Sequence, residues 1–208
     1  MTFPPYTYPE SSVLINRFGV RDPDELERIE RKLTYTQLGR LASQVLGDFD
    51  VTHLQRIHIQ LFQELYEWAG QFRLVDIGKG QTLFCRAAFL DSEATRIFGW
   101  LAPYTHRPIP HMVPFAQVAG ELMTHLNMLH PFREGNGRTQ REFVRQFARF
   151  HGFHLDYERM DGERYMAASI ADDPRVMTDA LQAAIVSPSP DRSLRAQYQS
   201  DTEMDWER

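Results

Sequence analysis

Between His130 and Arg141 the chain reads His130-Pro131-Phe132-Arg133-Glu134-Gly135-Asn136-Gly137-Arg138-Thr139-Gln140-Arg141. An imidazole with an ordinary pKa of about 6.5 is mostly neutral at pH 7 and can take a proton from a hydroxyl. Four residues on, Glu134 offers carboxylate oxygen to Mg²⁺, an ion that keeps several waters and bridges phosphates. Gly135 and Gly137 let the backbone take unusual φ values and approach a ligand closely. Asn136 between them tolerates the left-handed region and can donate from its side chain. Successive N–H groups in such a turn, where a helix begins, make a concave anion site. Arg138 and Arg141 are i and i+3, on one side of that helix, and their planar forks suit phosphate oxygens. Together the residues describe a site where a polyphosphate is attacked by a nucleophile. His130 is the candidate base, Glu134 the candidate metal ligand, and Gly135, Asn136, Gly137, Arg138 and Arg141 the candidate phosphate site. Each has a plainer reading alone: a common turn, a surface histidine, arginines paired with Glu142 on a solvated face. Their conjunction in this order is hard to obtain by accident.

Helical spacing of Val118, Leu122, Leu126 and Leu129 predicts a helix over 114–129, which Pro131 breaks. Phe143, Val144, Phe147 and Ala148 predict a second helix after Arg138, stopped by Gly152. The motif is thus a helix–loop–helix, with Phe132 an inward-facing anchor. Upstream, Phe72 to Ile77 alternates, Gly78-Lys79-Gly80 is a turn, and Gln81 to Cys85 is a second short apolar run, which together predict a β-hairpin. Asp22-Pro23-Asp24 opens a helix expected to run to about Leu46. Thr52 is the expected cap of the next helix, which buries Leu54, Ile57, Leu61, Leu65 and Tyr66. Further helices are expected from Phe89 to Leu101, near 162–171 and over 174–186. Ser187 to Asp191 closes the compact part, and 192–208 is expected to be a mobile or partner-binding polar tail. The expected organisation is an N-terminal extension (1–21), one domain (22–187, with its core about 49–185) and the tail (188–208).

At 208 residues and 42% hydrophobic, the chain can bury a full core. A net charge of -5 and a pI near 5.9 give no electrostatic footprint for nucleic acid. Cys85 is the one cysteine, so no internal disulfide forms, as in a reducing compartment. No secretory leader is expected at the N-terminus, and no apolar run approaches the roughly 20 residues that span a membrane. His106, His111, His125 and His130 include no pair at i and i+4, which argues against zinc. His53 and His58 are expected to cap or line the second helix.

The motif resembles the signature of the Fic family, H-x-F-x-[D/E]-G-N-G-R-x-x-R, with every specified position matched. Trp68-Ala69-Gly70-Gln71-Phe72-Arg73 and Lys79-Gly80-Gln81-Thr82-Leu83-Phe84-Cys85 extend the resemblance over most of 49–185. It implies a mostly α-helical Fic fold with one small β-hairpin beside the active-site loop. It also implies a protein adenylyltransferase that uses ATP and Mg²⁺ to move AMP to a protein hydroxyl. His130 would be the base, Glu134 the metal ligand, and Gly135 to Arg141 the phosphate site. The hairpin resembles the flap that pairs with the target by strand addition, with Lys79, Gly80, Gln81 and Thr82 as candidate contacts. The related Doc toxins, which are kinases, carry lysine where this chain has Gly137. The glycine therefore favours AMP transfer, while a Doc-like kinase or an inactive nucleotide-binding module stay open as alternatives.

Family members are commonly restrained by a helix reading [S/T]-x-x-x-E-[G/N], whose glutamate pairs with the second motif arginine, here Arg141. No such segment occurs in this chain, so a small antitoxin supplied in trans is the expected partner. The toxin branch suggests DNA gyrase or topoisomerase IV subunits as targets in a bacterial cytoplasm, with no direct nucleic-acid or membrane contact. An effector delivered into a host would be expected to carry an added secretion domain, which is not seen here.

Overall fold

The Asp22 carboxylate accepts from the Glu25 N–H at 2.8 Å, and Pro23 takes the first helical position, so α1 (Pro23–Leu41) starts as its sequence dictates. The computed structural model describes residues 6–45, 47–80 and 82–205. In it α1 ends at Leu41, short of the expected Leu46, which lies outside the described residues. The chain leaves the helix early and so carries Val45 and Phe49 inward, where both are buried. Phe49 adopts a φ of 60° and meets Phe143, Phe147 and Phe150 ring to ring. Asp50, rather than Thr52, caps α2 (Val51–Phe62), because its carboxylate reaches the His53 N–H at 2.7 Å. α2 gives way to turns after Phe62, so the buried Leu65 and Tyr66 lie beyond its end.

The hairpin is shorter and later than its alternation predicts. β1 (Gly78–Lys79) pairs antiparallel with β2 (Thr82–Leu83), Lys79 opposite Thr82, with Gly80 in the turn at φ 61°. Phe72 to Ile77 is not strand. Phe72 turns toward Phe132, and Arg73 is buried to 2 % exposure, its donors spent on the carbonyls of His130, Val75 and Cys85. A cation solvated that way fixes the backbone around it, and a ladder cannot form there.

α3 (Leu90–Leu101), α4 (Met112–Leu129) and α5 (Asn136–His151) follow the expected pattern. So do α6 (Gly162–Ala171) and α7 (Pro174–Ala184). α4 is the central helix: Phe115, Ala119, Leu122, Met123, Leu126 and Leu129 are all buried, and it packs most extensively against α7 and then α5. Gly120 allows that approach. A Cβ there would lie 2.3 Å from Thr178 Oγ1 and 2.7 Å from Thr178 Cα. Backbone cannot yield as a side-chain tip can, so Gly120→Ala is expected to cost about 1–3 kcal/mol in urea unfolding, despite its better helix propensity. An unchanged midpoint would mean that α7 slides freely on α4.

Where a mobile or partner-binding polar tail was expected, the segment after Asp191 forms α8 (Arg192–Asp205), which packs on α5. Tyr198 is 6 % exposed and stacks on Phe49 at 5.8 Å, and Asp201 pairs with Arg149 at 2.6 Å. Leu194, Tyr198 and Asp201 fall at i, i+4 and i+7, a stripe too narrow to stand out against a polar helix. Among the described residues, then, eight helices and one two-stranded hairpin make a mostly α fold. None of those helices is long and apolar enough to cross a membrane.

Candidate active site

α4 ends in a left-handed residue, His130 itself, at φ 43° and ψ 57°. Pro131 follows and prevents the helix from continuing. The His130 ring is placed by Nδ1, 3.1 Å from the Asn127 carbonyl. A carbonyl only accepts, so Nδ1 carries the proton and the Nε2 lone pair is free. Burial lowers the His130 pKa to about 4, the Asn127 hydrogen bond opposes this, and the charges of Arg73 and Lys79 add to the lowering. The imidazole is therefore neutral at physiological pH. Phe84, just past β2, lies flat on the ring, with centroids 3.7 Å apart at 12°.

The loop from His130 to α5 is closed by its own side chains. The Asn136 amide accepts from the Phe132 N–H at 2.9 Å and donates to the Phe132 carbonyl at 2.8 Å. Its contribution to an anion is therefore its backbone N–H. Phe132 is buried beneath His58, centroids 3.9 Å apart. His58 bridges two segments: Nδ1 accepts from the Gly70 N–H at 2.8 Å, and Nε2–H donates to the Glu134 carbonyl at 3.0 Å. Gly135 needs its φ of 80°, and a Cβ there would stand 2.3 Å from the Phe62 ring. Gly137 is different. It is an ordinary helical residue whose Cβ would meet only Arg141 Nη1, at 3.5 Å. No unusual φ requires that glycine; it leaves the helix mouth bare.

At that mouth the first carbonyl-bonded N–H is Thr139, to Gly135 at 3.1 Å. The N–H groups of Asn136, Gly137 and Arg138 precede it and have no intrahelical acceptor, which suits an anion. The two arginines play unlike parts. Arg138 is turned toward α1, where Glu30 and Thr34 accept from it and its guanidinium lies 4.9 Å from the Phe62 ring. The other Glu30 oxygen accepts from Tyr66 at 2.6 Å. Among the described residues Arg141 forms no side-chain ion pair, and it curls back over Gly137. With Leu38, Ala42 and Tyr157 it lines a groove of ≈310 Å³. Glu134 is half exposed, accepts from the Gly135 N–H at 2.8 Å, and lies 3.7 Å from Arg138. Among the described residues no group of three or more acidic, histidine or cysteine side chains could cage a metal. One open carboxylate fits an ion that takes its other ligands from water and phosphate.

Of the candidate flap contacts, Lys79, Gly80 and Thr82 lie at the hairpin tip, while Gln81 lies outside the described residues. The sequence reading missed Arg73, His58, Phe84 and Glu30. Arg73 and Phe84 lie in the segments that extend the resemblance and His58 was expected to cap or line α2, but none of them was given a part in the site.

His53 and His58, and likewise His130, have pKa values lowered to about 4, and His151 to about 3, chiefly by burial. Between the ordinary pKa and these values the unfolded chain binds protons that the native chain does not. Stability is therefore expected to rise with pH across that window and to fall from about pH 6.5 toward 4, by on the order of 1 kcal/mol per pH unit per histidine. Denaturant midpoints that stay flat over the same range would contradict this burial pattern.

The Fic/DOC family matches residues 48–148. The chain is 44% identical over 169 residues to the protein adenylyltransferase VbhT of Bartonella schoenbuchensis, covering 80% of this chain and 35% of that protein. It is 38% identical over 167 residues to the probable protein adenylyltransferase y4lH of Sinorhizobium fredii, covering 80% of this chain and 86% of that one. The chain thus spans about a third of VbhT but most of y4lH. In structure it is similar to the N-terminal Fic domain, with bound ADP, of a putative cell filamentation protein from Bartonella quintana. That similarity has a TM-score of 0.79 and 27% identity, covering 91% of this chain and 96% of that one.

Proposed function

This chain belongs to the Fic/DOC family, and from that membership we propose that it is a protein adenylyltransferase moving AMP from ATP to a hydroxyl side chain of a protein. One observation carries the reading: a neutral His130, held through Nδ1 on Asn127 O, heads the short loop into a helix whose first N–H groups have no intrahelical acceptor and whose Arg141 forms no side-chain ion pair among the described residues. The target hydroxyl oxygen attacks the α-phosphorus and the proton passes to His130 Nε2. The new O–P bond forms as the bond to the bridging oxygen breaks, and pyrophosphate leaves. The N–H groups of Asn136, Gly137 and Arg138 hold the phosphate charge that grows in this step, while Arg141 holds the outer phosphates. Glu134 would hold Mg²⁺, which neutralises phosphate charge when bound. Arg138 joins this set if nucleotide draws it from Glu30.

The bare Gly137 supports transfer from the α-phosphate over a Doc-like kinase, since nothing there displaces that end of the nucleotide. The hairpin is the proposed flap that presents the target, with Lys79, Gly80 and Thr82 as its proposed contacts. The proposed partner is a separate antitoxin bearing an [S/T]-x-x-x-E-[G/N] helix, whose glutamate would pair with the Arg141 guanidinium that lines the groove beside α5. Gyrase or topoisomerase IV subunits in a bacterial cytoplasm are the proposed targets, on the resemblance to the toxin branch alone.

Incubation with Mg²⁺, bacterial lysate and ATP labelled at the α- or the γ-phosphate tests the reaction. Label on protein from the α-phosphate alone is expected. Transfer from the γ-phosphate would replace this reading by a kinase.

A further inference from the structure

Arg73 is among the largest buried side chains, at 2 % exposure, and its guanidinium donates to carbonyls instead of a carboxylate. Nε donates to His130 O at 2.9 Å, Nη1 to Val75 O at 2.7 Å, and Nη2 to Cys85 O. Its own N–H donates to Pro131 O at 2.8 Å. These carbonyls belong to two separate structures. His130 and Pro131 form the turn that presents the candidate base, and His130 holds there a left-handed conformation that residues other than glycine avoid. Val75 and Cys85 are the two roots of the hairpin, one ahead of β1 and the other after β2. The Cys85 N–H adds a tie to Met128 O at 2.9 Å, and Phe84 beside it covers the His130 ring. A buried cation is tolerated only when hydrogen-bonded, and three acceptors set around a planar fork leave it one orientation.

We infer that Arg73 is a positioning residue for the adenylyl transfer proposed above, and the inference rests on that reading. One guanidinium holds the backbone of the base and both roots of the flap as a single unit, so a hydroxyl brought by the flap and the nitrogen that takes its proton keep a set separation. An ammonium on a lysine stem carries the charge but cannot span three fixed acceptors in a plane.

The full chain is compared with Arg73→Lys by hydrogen exchange over 74–86 and 128–134, by ATP binding, and by transfer of α-phosphate label in bacterial lysate with Mg²⁺. Exchange in both segments is expected to rise together, with ATP affinity and exchange elsewhere unchanged and label transfer lower by about 100-fold. Exchange rising in only one segment, or a loss of ATP binding in step with activity, would overturn the coupling. If the lysine chain does not fold, the unsubstituted protein decides. The N–H groups of Arg73, Cys85 and His130 must open with one shared protection factor, and separate openings refute the inference. If the unsubstituted chain transfers no label, the functional reading falls, while the exchange result still decides whether Arg73 joins flap to base.

Discussion

His130→Asn is expected to cut transfer of α-phosphate label by about 10²–10⁴-fold, the range for losing a general base, and to leave ATP binding unchanged. Asparagine is the informative replacement because it tolerates the left-handed backbone that His130 adopts at φ 43°. The turn and the phosphate mouth then survive while the free nitrogen is lost. The stack under Phe84 shrinks, but the loop is held independently by Asn136 on Phe132 and by His58 on Glu134. Isothermal titration with a non-hydrolysable ATP analogue separates binding from chemistry. A variant that turned over normally would remove His130 from its proposed role. Weaker nucleotide binding would instead mean that the ring helps to shape the phosphate site.

Adding one methyl group at each of two neighbouring glycines is expected to give opposite outcomes. Gly135→Ala forces a residue with φ 80° to carry a Cβ 2.3 Å from the buried Phe62 ring. Left-handed strain of about 1–2 kcal/mol and overpacking of about 1–3 kcal/mol should lower the melting temperature clearly. Gly137→Ala meets only Arg141 Nη1 at 3.5 Å and sits in regular helix. Its fold should be as stable as before, or firmer by about 0.5–1 kcal/mol. On the proposed reading the methyl nevertheless stands where the phosphate chain would approach the N–H groups, and label transfer should fall by about 10²-fold or more. Thermal melts and labelled-ATP assays on the same two samples read both quantities. Equal activity in Gly137→Ala and the unsubstituted chain would show that the nucleotide does not use that face of the helix.

The two helices around the motif were legible because α4 and α5 carry uninterrupted apolar stripes and their ends are marked by Pro131 and Gly152. The fold class came with the family resemblance, and the helical spacing of the other segments agreed with it. The hairpin shows the limit of such reasoning. Alternation from Phe72 to Ile77 looks like half-buried strand, yet the polar position at Arg73 turns inward, because two of its three carbonyl partners, His130 and Cys85, lie further along the chain. Local pattern carries no trace of them. The partner of Arg138 was hidden for a similar reason. The Glu30 carboxylate lies on a helix that reads as an independent amphipathic element, and only tertiary packing brings α1 over the site. Gly137 was expected to supply an unusual φ, which only Gly135 of that pair requires.

The ion pair between Arg149 and Asp201 is almost wholly enclosed, with side chains 5 % and 7 % exposed. A chain cut before Arg192 would leave that guanidinium with the Ala42 carbonyl but without its carboxylate, and strip the Tyr198 cover from Phe49 and Phe150. Trimming the polar C-terminus to obtain a minimal catalytic fragment would thus expose the C-terminal half of the helix that begins at the phosphate loop, and is expected to cost stability. The last turns are a structural lid on the far end of α5, and their hydrophilic composition disguises that duty.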